Sequence, residues 1–229
     1  MSKCKLCNKS GIFMSLSNNG LCKSCDPVFL MDVHQRSRII KESLEIIELS
    51  TKLDTQISRC DVVAEHAIEL LNYEHNQIST IKPKPSELVT MMKNKKDSLI
   101  YDAMKNEATK VSGEENYGNR KSKVSKLAKL LLKISEYKNK YYEDATSDNH
   151  TNLASLEKNI KAEIDNLNIA ALLDDAQKAE FKKQSKKALD KYYDVLYYIN
   201  HDSIDDSLQI EKRDHARERI IALGGDVPE

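Results

Sequence analysis

Cys4-Lys5-Leu6-Cys7 and Cys22-Lys23-Ser24-Cys25, fourteen residues apart and followed at once by Asp26-Pro27, decide how this 229-residue chain is read. Two C-x-x-C pairs at this separation have the spacing of a structural zinc site. A two-residue gap lets one tight knuckle supply two thiolates, and Zn²⁺ takes four of them tetrahedrally at about 2.3 Å. The expected ligands are therefore Cys4, Cys7, Cys22 and Cys25, and the expected cofactor is Zn²⁺. The knuckle carries too few apolar residues to fold without a metal. Four thiolates close the coordination sphere, so the ion has no open position at which to activate water. A disulfide reading would need an oxidising compartment, and no charged-then-apolar leader is read that would take the chain there. A redox C-x-x-C would need a βαβ surround, which neither pair has.

The residues between the pairs extend the reading. Asn8-Lys9-Ser10-Gly11 is turn-prone, Ile12 to Leu16 reads as a strand, and Ser17-Asn18-Asn19-Gly20 carries the Asn-Gly signal of a tight hairpin. Asp26 suits an N-cap and Pro27 a first helical position, which starts a helix just after Cys25. A knuckle, a hairpin and a helix bearing the last ligand pair at its start resemble the treble-clef class of zinc fingers. The resemblance covers about the first 30 residues.

Hydrophobic residues make up 40% of the chain and charged residues 31%, with 6 Gly and 4 Pro, which is the balance of a helix-rich globular protein. No apolar run approaches the roughly 20 residues needed to cross a bilayer, so no membrane is expected among its partners. A formal net charge of zero argues against indiscriminate binding of nucleic acid by the whole chain.

Downstream, the periodicity is helical throughout. Helix one is expected from Pro27 to about Ser50 on Ile40, Leu44 and Ile47. A second follows from Asp54 to Glu74, with Ile57, Ala64, Ile68 and Leu71 on one face and Cys60, Val63, Ala67 and Leu70 widening it. Cys60 reads as a buried core thiol. Pro83 and Pro85 interrupt the pattern, and Ser86 opens a third helix over Leu88, Met91 or Met92, Leu99 and Met104 that ends by Gly113. The stretch 113–120 is the expected linker. The resulting division is a zinc module over 1–26, a continuous helical domain over 27–112, and a C-terminal helical domain over 121–229. Leu153, Leu156, Ile160, Ile164 and Leu167 form a further helix, and Asn168 to Leu173 is expected to turn the chain. A long helix then runs from Asp174 or Asp175 to Ile199, with Phe181, Ala188, Tyr192, Leu196 and Ile199 inward. A last helix starts at Ser203, carries Ile204, Leu208, Ile220 and Leu223, and stops at Gly224-Gly225. The fold class is mainly α: a small Cys4 module, knuckle plus β-hairpin, fused to antiparallel helical hairpins.

Two surfaces stand out. Residues 120–140 hold eight Lys or Arg and one acid, with Arg120, Lys121, Lys123, Lys126, Lys129 and Lys133 the candidate contacts to nucleic acid or an acidic partner. The bland alternative is a solvated or internally paired face. Residues 141–176 favour it, with eight acids against two lysines. Tyr192, Tyr193, Tyr197 and Tyr198 are candidates for a protein-partner surface, where tyrosine is enriched, or for a helical core and its wet rim. Nucleotide-loop, dinucleotide, zincin and nucleophile-elbow motifs are all missing, and the six histidines are scattered. His34, two turns into helix one, is the nearest to the cysteines. The chain is expected to be a non-enzymatic cytoplasmic adaptor that binds another protein, of a kind that suits a bacterial or phage regulator. Nucleic-acid binding through the basic stripe and zinc module is the alternative, and an unrecognised enzyme ranks third.

Overall fold

A computed structural model of the chain describes residues 2–78, 82–113, 120–141, 148–202, 204 and 209–227. Among these the fold is mainly α, with seven helices and one two-stranded antiparallel sheet. The strands are β1 (Ser2–Lys3) and β2 (Ser10–Gly11), and the helices are α1 (Cys25–Leu49), α2 (Leu53–His75), α3 (Pro85–Ser112), α4 (Arg120–Tyr141), α5 (Asp148–Phe181), α6 (Ser185–His201) and α7 (Ile210–Ala222). The chain divides into two compact units, Met1–Ala103 and Met104–Glu229, with the division inside α3. Of the expected linker, residues 114–119 lie outside the described residues.

In the first unit α1 packs antiparallel to α2 as a hairpin. Phe29, Ile40 and Ile47 meet Cys60, Val63, Ala67, Leu70 and Tyr73 in one core. The seam of α2 keeps Ile57 of the expected face but otherwise follows Cys60, Val63, Ala67 and Leu70, expected only to widen it, and adds Tyr73. Ile57, Cys60, Val63, Ala67, Leu70 and Tyr73 are buried, while Ile68 is 52% exposed. The 3-4 rhythm fits either stripe, and Tyr73 decides between them by meeting Phe29 edge-on at 4.9 Å. Leu88 and Met92 of α3 join this core, Met91 stays outside it, and Ser86 ties the start of α3 to the Glu74 carboxylate.

In the second unit α4 packs on α5, α5 on α6 and α6 on α7. Two expectations fail here. Asn168 to Leu173 does not turn: α5 runs through it, because Ile169 is fully buried and the following Ala-Ala-Leu-Leu are strong helix formers. The turn falls instead at Lys182–Gln184. Lys183 takes a left-handed φ of 57°, and the Lys183 and Gln184 amides donate to the Glu180 and Ala179 carbonyls in a Schellman-type cap. Phe181, expected inward, therefore ends α5 beside that turn and is 90% exposed. The same cap closes α7, with the Gly224 and Gly225 amides donating to Ile221 and Ile220, as the Gly-Gly pair predicts. Ser203 and Leu208 lie outside the described residues, but the helix expected from Ser203 through Ile204 does not start there. Ile204 sits in a bend, its amide donating to the Asp202 carboxylate, and α7 begins at Ile210.

Candidate metal centre

The first cysteine pair is shaped by the small sheet. β1 and β2 pair with Ser2 opposite Gly11 and Lys3 opposite Ser10, so the chain between them must reverse within six residues. It does so with the Cys4 amide donating to the Lys9 carbonyl (2.9 Å) and the Asn8 amide to the Cys4 carbonyl (3.0 Å). Asn8 holds φ at 61°, a conformation that asparagine tolerates better than most side chains. Cys4 and Cys7 thus lie on one knuckle. The strand expected over Ile12–Leu16 is not formed, because the ladder is spent on the knuckle itself. After Gly11 the chain turns at once, the Met14 amide reaching back to the Gly11 carbonyl at 3.3 Å.

The second pair sits where a turn becomes a helix. The Cys25 and Asp26 amides both donate to the Cys22 carbonyl at 3.0 Å, so Cys22 closes the turn and Cys25 begins α1. Ahead of it the chain folds back over Ser17–Leu21, with Gly20 at φ 75° and the stem of Lys5 lying against it. Asp26 is not the cap that the sequence suggests. Its carboxylate accepts from Ser17 Oγ (2.6 Å) and Asn19 Nδ2 (3.0 Å), tying that turn to the first turn of α1 and holding the acid below its ordinary pKa. No spacing rule picks out this strut, since it depends on where the turn folds back.

The result is convergence. The sulfurs of Cys4, Cys7, Cys22 and Cys25 all lie within 4.8 Å of one another, which is enough to hold one metal ion. Cys7 and Cys22 are 3.8 Å apart, and a tetrahedron with arms of about 2.3 Å has edges of about 3.8 Å. Backbone amides aim at the sulfurs: the Cys22 amide donates to Cys4 Sγ at 3.3 Å. The Cys7 amide, first among several donors, lowers the Cys4 thiol to about 6, and the Cys25 and Ser24 amides lower Cys22. Cys25 is pushed up to about 12, chiefly because its thiol donates to the neighbouring Cys22 sulfur. Four thiols this close cannot all ionise unaided, and a cation at their centre removes that conflict. His34 stays out of the cluster, on the outer side of α1. Cys60 is buried in the α1–α2 core, where desolvation raises its thiol pKa.

Behind the cluster, α1 is locked to α2 by polar groups that the sequence did not single out. Asp32 accepts from Arg36 (2.8 Å) and from the Tyr73 hydroxyl (2.8 Å), and Arg36 also reaches His66. Burial and the Asp32 bond push the Tyr73 phenol up to about 12. The i, i+4 pair of Asp32 and Arg36 is visible in sequence, but its partner on α2 is not.

The basic stripe is largely paired within its own unit. Arg120 meets Asp174, Lys123 meets Glu163 (3.1 Å), Lys133 meets Glu107 (2.8 Å) and Lys138 meets Glu157 (2.7 Å). Lys121, Lys126 and Lys129 are exposed on α4. The four tyrosines divide. Tyr192 is fully buried, its hydroxyl on Glu180, and so belongs to the core and not to a partner surface. Tyr193 caps the Asp226 carbonyl, Tyr198 is half-buried on Asp165 and Asn168, and Tyr197 is exposed and stacked on His201. A cavity of about 480 Å³ beside Tyr197 gathers Lys161, Asp165, His201 and Asp202, but its acids already accept from Tyr198, Gln209 and the Ile204 amide. None of the described helices is long and apolar enough to cross a membrane. Comparison of the chain with protein-family models, curated proteins and solved structures gives no match.

Proposed function

We propose that the cysteine cluster is a structural Zn²⁺ site of treble-clef type, and that the chain is a non-enzymatic cytoplasmic adaptor acting through protein–protein contacts. All four thiolates are supplied by the protein, which suits Zn²⁺ and leaves no position for substrate. Cys4, Cys7, Cys22 and Cys25 would hold the ion, whose role is to fix the knuckle against the start of α1 and so set that helix's direction.

The observation that carries the adaptor reading is what α1 leaves uncovered as it departs from the cluster. Val28, Leu30 and Met31 are 57%, 52% and 69% exposed. Leu30 and Met31 open onto a hollow that continues past His34 and Gln35 to Arg38, which pairs with Glu42. An apolar centre with a rim of mixed charge is the composition of a protein interface. The nucleic-acid reading draws less support, because four cations of the 120–140 stripe are engaged by acids of the same unit.

The test has two parts. Cobalt substituted for the resident metal should give the absorption of a tetrahedral tetrathiolate at one ion per chain. A partner captured by the zinc-loaded chain should be lost to the Leu30→Asp/Met31→Asp variant while far-UV circular dichroism is unchanged. A variant that retains the partner overturns the assignment of this face.

A further inference from the structure

The turn between the two cysteine pairs is built against the usual rules. Gly11 and Met14 close it, so Ile12 and Phe13 occupy its two corner positions, where Pro, Asn, Asp, Ser or Gly ordinarily sit. Both side chains point into solvent: Ile12 is 78% exposed and Phe13 99%. The corner is not loose. On one side Gly11 is held in the β1–β2 ladder, and on the other Met14 and Leu16 pack against the core that contains Cys4, Leu21 and Phe29. Two large apolar groups are thus displayed on an anchored turn that leaves the Ser2–Gly11 end of the small sheet, the end away from the cysteine knuckle. Where local preference is violated and nothing in the fold compensates, function is the expected reason.

The charge around the point names the partner. The first 25 residues contain Lys3, Lys5, Lys9 and Lys23 and no acid. The sheet register puts Ser2 opposite Gly11 at the turn and Lys3 opposite Ser10 one step further along, and Lys9 precedes the same strand. Lys3, Lys9 and Lys23 are all exposed. Asp26, the first acid, is occupied by Ser17 and Asn19. Lys5 donates to the Gln77 carbonyl at 2.8 Å, so Lys3, Lys9 and Lys23 are the cations turned to solvent. The four lysines against Asp26 and a divalent tetrathiolate would leave a formal charge of about +1.

We propose that this turn is a peripheral membrane anchor, with Ile12 and Phe13 entering the headgroup–acyl boundary of an anionic bilayer and Lys3 and Lys9 of the adjoining sheet lying toward the lipid phosphates. A bilayer needs no spanning segment for this, only an apolar tip and a cationic collar. A protein pocket fits less well. Stable protein interfaces draw on about 20 residues a side, whereas this tip offers two, set among Ser2, Lys3, Lys9, Ser10 and Ser15. The proposal does not depend on the protein-partner reading of α1, which uses a different face with a different rim.

The chain contains no tryptophan, which makes the test direct. In the zinc-loaded full chain, Phe13→Trp supplies the sole indole. Its emission should shift to the blue on vesicles of equimolar phosphatidylserine and phosphatidylcholine, and less on phosphatidylcholine alone. The Ile12→Ser/Phe13→Ser variant should lose vesicle partitioning by at least about tenfold, since each side chain forfeits its apolar transfer. Lys3→Glu/Lys9→Glu should weaken partitioning and flatten its dependence on salt. All of these positions are exposed, so circular dichroism should match the parent. An indole that stays water-exposed on anionic vesicles, or a serine variant that partitions like the parent, overturns the proposal and leaves the tip to a protein pocket.

Discussion

Replacing Cys22 with Ser should release the metal and unfasten residues 2–24 while leaving the α1–α2 hairpin folded but weaker. The size of the weakening follows from what the module contributes to the shared core. Leu21 is fully buried and belongs to the same cluster as Phe29, Ile40, Ile47 and Leu70. Burying one leucine is worth about 1.5–3 kcal/mol, and the partly buried Leu6, Met14 and Leu16 add to that floor. Losing Leu21 alone should therefore lower hydrogen-exchange protection across α1 and α2 on the order of 10- to 150-fold, at about 1.4 kcal/mol per decade. Residues 2–24 should lose most of their protection, since without the metal the knuckle keeps only backbone bonds, the Ser17 and Asn19 bonds to Asp26, the Lys5 bond to the Gln77 carbonyl and a few apolar contacts. Exchange measured by mass spectrometry on the parent, the chelated parent and Cys22→Ser separates these segments, and the last two should agree. Full protection of residues 4–22 in the variant would mean that packing, and not metal, holds the module. Unchanged protection in α1 and α2 would mean that Leu21 contributes nothing to their core.

Lys183→Gly should stabilise the chain by about 0.5–1 kcal/mol. A left-handed lysine costs roughly 1–2 kcal/mol, of which glycine gives part back through its freer unfolded state; a loss in chemical denaturation would place the α5–α6 turn elsewhere. The folded state favours the neutral phenol of Tyr73. Its contribution is therefore complete below the ordinary tyrosine value of 10.0 and is lost as pH rises through about 12. Ultraviolet titration should show Tyr73, Tyr192 and Tyr198 ionising late, all three held back first by burial. A late phase that persists undiminished in Tyr73→Phe counts against this assignment. Short duplex DNA at low salt should not be retained by the parent, and Lys126→Glu/Lys129→Glu/Lys133→Glu should change nothing. Retention that falls steeply with salt and vanishes in that variant would restore the nucleic-acid reading.

What the sequence made legible follows from how local each signal is. The cysteine cluster was readable because metal chemistry fixes both residue type and spacing, and Asn8 and Gly20 supply the positive φ values that the turns need. The limits of α1, α2 and α3 were readable to within two residues, with Pro85 and Gly113 punctuating α3. Signals without a local signature failed. Lys182-Lys183-Gln184 contains no Gly or Pro, so the turn that ends α5 is imposed by Ile169, Tyr192 and Leu196 packing on either side of it. Asn168, a mild helix breaker, was overridden by the same core. The α2 seam was ambiguous between two stripes until Tyr73 found Phe29 and Asp32 on α1, a pairing across more than 40 residues. The case of Ile12-Phe13 is different. Three apolar residues in a row read as a strand when the ladder is assumed free to extend, but among the described residues the one ladder is spent on the knuckle, where β1 pairs with Ser10–Gly11. The apolar run is then left to form a corner. Pattern alone reads these residues as a strand, whereas the cysteine knuckle's claim on the backbone puts their side chains out in water, where their presence calls for a partner.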